Sequence, residues 1–215
     1  MSMSVQRLEV GPLMANCYIV GCETTRHGFI VDPGGDAEII AGAVREGGLA
    51  IDYIIDTHCH PDHTLASCQV RQELSSTQTE PVTLLCHELA REHIEQPPMH
   101  WLLVNIRAEP CPVDDTLGEG DELRVGQLRV KTMHLPGHSP GSIALLVEGA
   151  VFTGDVLMAG GIGRTDLPGG DYAQLQESLR RLMSELPDDA VVYPGHGPNS
   201  TIGAERDTNM WLAEL

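Results

Sequence analysis

Residues 51–63 read IDYIIDTHCHPDH. The first part, IDYIIDT, is an apolar run of strand length. Directly after it come His58, His60, Asp62 and His63. Three of the chain's ten histidines therefore crowd one short turn. Ala66, Val70 and Leu74, spaced four apart, predict a helix beyond it, so the cluster lies in a strand-to-helix connection. His58 and His60 are two apart, and in an extended turn their rings point the same way. Asp62 and His63 are adjacent, and a turn aims them at a second point close by. That arrangement suits two metal ions better than one. Imidazole and carboxylate suit zinc, iron(II) or manganese. The bland alternative is a polar loop whose histidines face water. So many ligating groups directly after an apolar strand argue against it. Cys59 lies between two histidines, and the same alternation points it away from them.

One loop does not complete a metal site. Three later segments offer the missing ligands, each just after an expected strand. HLPGHSPGS supplies His134 and His138, FTGD supplies Asp155, and YPGHG supplies His196. Glycines beside these residues let backbone approach a crowded site.

Short apolar runs set the frame around them. RLEVG, NCYIVG and GFIVD read as strands, and Asp36 opens a helix that Gly47 and Gly48 end. VTLLC is a further strand. DELRVGQLRVKTMH and SIALLVEGAVFTGD read as hairpins turning at Gly126-Gln127 and Glu148-Gly149. Asp171 caps a helix whose Tyr172, Leu175, Leu179, Leu182 and Leu186 share one face, closed by Pro187. AVVYPG is a last strand, with a short helix from about Gly203. Residues 87–113, with the proline-bearing PPMHWLLV and EPCPV, read as irregular. There is no repeat or linker, and a single compact α/β domain over residues 1–215 is expected.

Composition bounds the partners. With 31 acidic residues against 13 basic, the formal charge is −18, a surface that repels phosphate backbones, so no nucleic-acid partner is expected. No apolar run approaches the roughly eighteen residues of a membrane span, and MSMSVQRLEV has no signal-peptide pattern, so no membrane contact and a cytoplasmic location are expected. The six cysteines form no C-x-x-C pair and are expected to be mostly reduced and buried.

The set THCHPDH, PGHSPGS, TGD and PGHG resembles the metallo-β-lactamase fold superfamily. VDPGGDAE, GDVLMAGGIGRTDLPGGD and YPGHGPNSTIGAER are similar to the glyoxalase II branch, the hydroxyacylglutathione hydrolases, in its short single-domain bacterial form. The likeness runs over essentially the whole chain. It implies a four-layer αββα sandwich with metals at one edge between the sheets. It implies His58, His60 and His138 on a first ion, Asp62, His63 and His196 on a second, and Asp155 bridging both. His134 falls outside that set and is expected to support a ligand from behind or to pack. His27, His87, His93 and His100 are read as surface or structural.

The implied cofactors are two divalent ions, zinc first, with iron or manganese as alternatives. The implied reaction is thioester hydrolysis of S-D-lactoylglutathione or a related hydroxyacylglutathione by a metal-bridging hydroxide, with Asp62 as the catalytic residue holding a metal and hydrogen-bonding the hydroxide. Arg164, nine residues after Asp155, is read either as a contact for substrate carboxylates or as a salt bridge to Asp166 or Asp171. Met99 and Trp101 are read as a wall over the site or as core. Two departures stand out. Leu65 and Ala66 replace glycines frequent after the cluster in the family. The C-terminal helical domain that supplies glutathione contacts in full-length glyoxalase II is not expected here. Persulfide dioxygenases also resemble the chain, including GRTD, and use one iron on glutathione persulfide; PGHSPGS and YPGHG favour the hydrolase. A non-catalytic metal-binding scaffold is the third reading.

Overall fold

The computed structural model describes residues 2–98, 108–213 and 215. Along the chain come β1 (Met3–Val10), β2 (Ala15–Cys22), β3 (His27–Val31), α1 (Ala37–Gly47), β4 (Ala50–Asp56), α2 (Pro61–Thr64), α3 (Ser67–Ser75), β5 (Thr83–Cys86) and α4 (Glu88–Glu95). After the undescribed stretch follow β6 (Asp115–Thr116), β7 (Glu122–Val125), β8 (Leu128–His134), β9 (Ile143–Val147), β10 (Ala150–Gly154), β11 (Leu157–Met158), β12 (Gly161–Ile162), α5 (Tyr172–Glu185), β13 (Val191–Pro194), β14 (Ser200–Thr201) and α6 (Ile202–Thr208).

Two six-stranded sheets carry the fold, in the orders β1-β2-β3-β4-β5-β6 and β14-β13-β10-β9-β8-β7. β3, β4, β5 and β6 run parallel, as do β10 and β13. The layering follows from alternation along single strands. In β2, every residue of which is buried, Cys17 and Ile19 face outward to Ile40 and Val44 of α1, Val70 and Leu74 of α3, and Ala90 and Ile94 of α4. Tyr18, Val20 and Cys22 face inward, against Leu128, Leu145 and Phe152 of the second sheet. The second sheet's other face packs Met133, Ala144, Val151 and Val192 against Leu175, Leu179 and Leu182 of α5 and Ile202 of α6. Helix, sheet, sheet, helix is the expected αββα sandwich.

Between the sheets Phe152 meets Tyr18 edge-on at 5.3 Å and stacks on Tyr193 at 4.8 Å. Truncating an aromatic ring so fully buried costs about 3–5 kcal/mol.

Both expected hairpins form, with Val125 opposite Leu128 and Val147 opposite Ala150. Three expectations need correction. Residues 88–95 are helical, not irregular: Ala90 and Ile94, four apart, face the core, and the helix ends before Pro97 and Pro98. Cys68 and Cys111 form a disulfide, whereas Cys17, Cys22, Cys59 and Cys86 are free and buried as expected. The partners lie 43 residues apart, and only the fold brings them together. On α5, Tyr172 is exposed, outside the buried stripe that Leu175, Leu179 and Leu182 form. Asp36 opens α1 as expected, standing as its N-cap in a left-handed conformation with its carboxylate accepting from Gly11 N–H.

Candidate metal centre

The carboxyl ends of β3 and β4 in one sheet and of β10 and β13 in the other reach the same edge of the sandwich. Two backbone bonds fasten the sheets there: Ile143 N–H donates to Thr57 O at 2.9 Å, and Asn16 N–H to Gly195 O at 2.7 Å. The THCHPDH turn leaves β4 through a bend at Thr57, His58 and Cys59, and His60 after it is extended. Pro61 then starts a single helical turn bearing Asp62 and His63, a position where its missing N–H costs nothing. His58 and His60 precede that helical turn and Asp62 and His63 lie on it, which separates the two aims of the cluster.

His58, His60 and His138 bring ligating atoms within 4.8 Å of one another, and so do Asp62, His63 and His196. Asp155 lies between the two groups. Its Oδ2 is 3.8 Å from His138 Nε2 and 3.6 Å from His196 Nε2, and its Oδ1 is 3.4 Å from His63 Nε2. All seven residues expected as ligands therefore meet at one place. His58 Nε2, His138 Nε2 and Asp155 Oδ1 are buried and have no hydrogen-bond partner among the described residues. An orphaned buried polar atom costs about 1–3 kcal/mol. Three of them on residues from separate segments, converging among imidazoles and carboxylates, fit a cation site. Close glycine contact makes the convergence possible. A Cβ on Gly195 would sit 2.2 Å from Asp155 Oδ1, and one on Gly34 would sit 1.6 Å from Asp62 O.

Asp32 also lies near His58 and His63, but its carboxylate is already taken. It accepts from Thr57 N–H and Thr57 Oγ1, both at 2.7 Å, and from His63 Nδ1 at 3.0 Å. This fixes the His63 tautomer and directs Nε2 at the centre. His138 is held likewise, its Nδ1 donating to Arg164 O at 2.8 Å.

The two groups differ in proton affinity. Burial keeps His58 well below the ordinary imidazole range, pushes His60 down to about 3 and lowers His138. Burial also acts against charge on His63, yet Asp155, Asp32 and Asp62 together hold it well above that range. The hydrogen bond to Asp62 raises His196. Burial disfavours ionised Asp62 and Asp155, but neighbouring histidines outweigh it and both carboxyls are lowered.

Several other expectations meet specific surroundings. Cys59 turns away into the outer core cluster, and burial pushes its thiol up to about 11. His134 stacks on His87 at 4.0 Å, and its Nε2 donates to Pro140 O in the His138 loop. His87 caps α4 by accepting from Leu89 N–H. His27 is exposed and bonded to Asp52. The Arg164 guanidinium makes a two-point ion pair with exposed Asp166, while its carbonyl holds His138. Ala66 is buried at the start of α3, its N–H donating to Pro33 O. Met99, His100 and Trp101 lie outside the described residues. Sequence reasoning assigned no role to Asp32, Thr57 or Asn16. Asp32 carried a usable signal: like Asp155, it is an aspartate at the end of an apolar strand, followed by glycines.

The Metallo-beta-lactamase superfamily profile matches residues 10–196. The chain belongs to the metallo-beta-lactamase superfamily. Among curated members, it is 34% identical to the "Probable metallo-hydrolase YqgX" of Bacillus subtilis, covering 98% of each chain. It is 33% identical to the "Hydroxyacylglutathione hydrolase GloC" of Haemophilus influenzae, again over 98% of each. It is 29% identical to the mitochondrial "Persulfide dioxygenase ETHE1" of Mus musculus, over 91% of this chain and 70% of that one. Of solved superfamily structures, BLEG-1, a B3 metallo-beta-lactamase, superposes with a TM-score of 0.89 at 34% identity, covering 97% of this chain and 99% of that one. TTHA1623 in a di-iron-bound form superposes with 0.85 at 35% identity, covering 97% and 100%. Superfamily members bind divalent metals, and the clustered residues here are of that kind. No helix among the described residues is long and apolar enough to cross a membrane.

Proposed function

We propose that this chain is a metal-dependent thioesterase acting on S-D-lactoylglutathione or a related hydroxyacylglutathione, with residues 1–215 working as one hydrolase domain. His58, His60 and His138 hold one divalent ion, and Asp62, His63 and His196 hold a second, with Asp155 shared. The observation that carries this reading is the pair of ligating groups joined through Asp155, with its three orphaned buried atoms. Full-length likeness to a hydroxyacylglutathione hydrolase supports the substrate class.

When bound, two such ions supply Lewis acidity and bring a coordinated water's pKa towards neutrality. The chain's own residues do the rest. Asp32 and the Arg164 carbonyl orient the His63 and His138 rings from behind. Asp62, ionised at neutral pH, is a proton acceptor at Oδ2, 3.3 Å from His196 Nε2. Cys59, protonated and turned away, leaves the attack to water. Zinc is the preferred metal, and iron or manganese suits the same donors.

A second reading is favoured by the likeness to ETHE1: a one-iron dioxygenase acting on glutathione persulfide. The deciding experiment loads the protein with zinc, iron or manganese in defined amounts. It then measures hydrolysis of S-lactoylglutathione, of simpler acyl thioesters and of a β-lactam, and oxygen uptake with glutathione persulfide. Thioester turnover with two ions supports the proposal. Persulfide-dependent oxygen uptake with one iron, without thioester turnover, overturns it.

A further inference from the structure

We infer that Asn16 is the positioning residue for His196, holding from the opposite sheet the turn that presents this ligand to the second ion. The inference rests on the two-ion reading above. The histidines differ in how their rings are anchored. His58 Nδ1 meets Thr57 Oγ1 at 3.0 Å, His63 Nδ1 meets Asp32, and His138 Nδ1 meets Arg164 O. In each of these the nitrogen facing away from the centre is anchored, which is how ligand rings are ordinarily aimed. The described contacts of His196 all run through Nε2, to His63, Asp62 and Asp155. Its ring is aimed through its backbone.

That backbone belongs to the turn after β13 in the second sheet, whereas Asn16 lies in β2 of the first. Asn16 is fully buried and makes three bonds that bracket His196. Its N–H donates to Gly195 O at 2.7 Å, and its Nδ2 donates to Pro194 O at 2.8 Å and Gly197 O at 2.9 Å. Merely satisfying carbonyls does not account for the amide. Pro194 O also accepts from Tyr18 Oη, and Gly197 O from Arg7 Nη1, both at 2.7 Å. What Asn16 adds is one rigid point that ties both sides of the turn together. The geometry carries a cost: Asn16 Oδ1 is buried with no partner among the described residues. Rotating the amide would set that oxygen against two carbonyl oxygens, so the orphan is inherent to the clamp. A buried polar residue kept at such a cost belongs where position matters.

The test is zinc titration of the metal-free full chain, with His196→Ala marking the loss of the second ion. Asn16→Leu keeps a similar shape but cannot donate from its side chain, and Asn16→Asp keeps the size with an acceptor-only carboxylate. In both, second-ion affinity is expected to fall about 10–100-fold, as for other groups that orient ligands, with the first ion's affinity within about twofold. Tyr18→Phe, which removes a donor without opening the bracket, should leave both affinities unchanged. Imidazole nitrogen resonances of metal-free protein provide a readout that needs no ion. The His196 signal should show the Asp62 hydrogen bond in the wild type and its loss in both Asn16 variants. Equal weakening of both ions, or no weakening with an unchanged His196 signal, overturns the inference. Uptake of a single ion by the wild type overturns the two-ion reading instead, and the His196 signal still decides the role of Asn16.

Discussion

The two ligating groups meet at Asp155 but are electrostatic opposites. His58, His60 and His138 form an all-imidazole set that is buried and, at neutral pH, uncharged without metal. Asp62, His63 and His196 mix carboxylate with two imidazoles whose proton affinity is raised, and His196 is partly open to solvent. The difference shows how one turn makes two unlike sites. The bend after β4 buries His58 and His60, and the helical turn from Pro61 carries Asp62 and His63 into a set of acids. The first site is ready for a cation but gains little from charge. The second attracts a cation strongly but must release protons to hold it.

Removing what the two groups share should do the most damage. Asp155→Asn should cost at least about 10³-fold in thioester kcat/KM and weaken both ions together, as metal analysis of the purified variant would show. Next, His138→Ala and His196→Ala should each leave one ion bound, but from opposite groups. If both variants lost the same ion, the division into two groups would be wrong. Asp32→Asn comes third. Without its charge the His63 ring is less firmly aimed, and second-ion affinity should drop about 10–100-fold with the first ion little changed.

Acidity offers a fourth contrast. His63 and His196 bind protons above pH 6.5 in the metal-free chain, so ion binding there expels protons and weakens as pH falls through neutrality. His60, at about 3, and the lowered His58 and His138 stay neutral, so first-ion affinity should stay flat across the same interval. Calorimetry in buffers of different ionisation enthalpy would count the released protons at each step.

The mildest change lies behind the His138 loop. Glu119 binds Arg181, which holds its carboxyl down at about 2, and accepts from His134 N–H. A carboxyl lowered from an ordinary value of 4.5 stabilises the fold above pH 4.5, and that contribution is lost as pH falls towards 2. Glu119 and Arg181 are 48% and 34% exposed, so solvent screens the pair. Glu119→Gln should cost less than about 1 kcal/mol at pH 7, read from denaturant midpoints.

Much of the fold and of the centre is legible in the order of residues alone. The inward face of α5, the two hairpin turns and the strand leading into THCHPDH follow from local periodicity and turn chemistry. Helix α4 is hidden because it is only two turns long and runs directly into Pro97 and Pro98. The Cys68–Cys111 pair is hidden because spacing along a chain says nothing about approach across it.

Residue order establishes which side chains can bind a cation, that they end apolar strands, and that alternation gives the first turn two aims. Those properties are local, set by residue type and by backbone period. Family resemblance implied Asp155 between the two groups, but it took the packed molecule to put Asp32 behind His63 and Asn16 of one sheet against the turn of His196 in the other. Those facts depend on how two twisted sheets pack face to face, and that packing is settled by burial summed over the whole core.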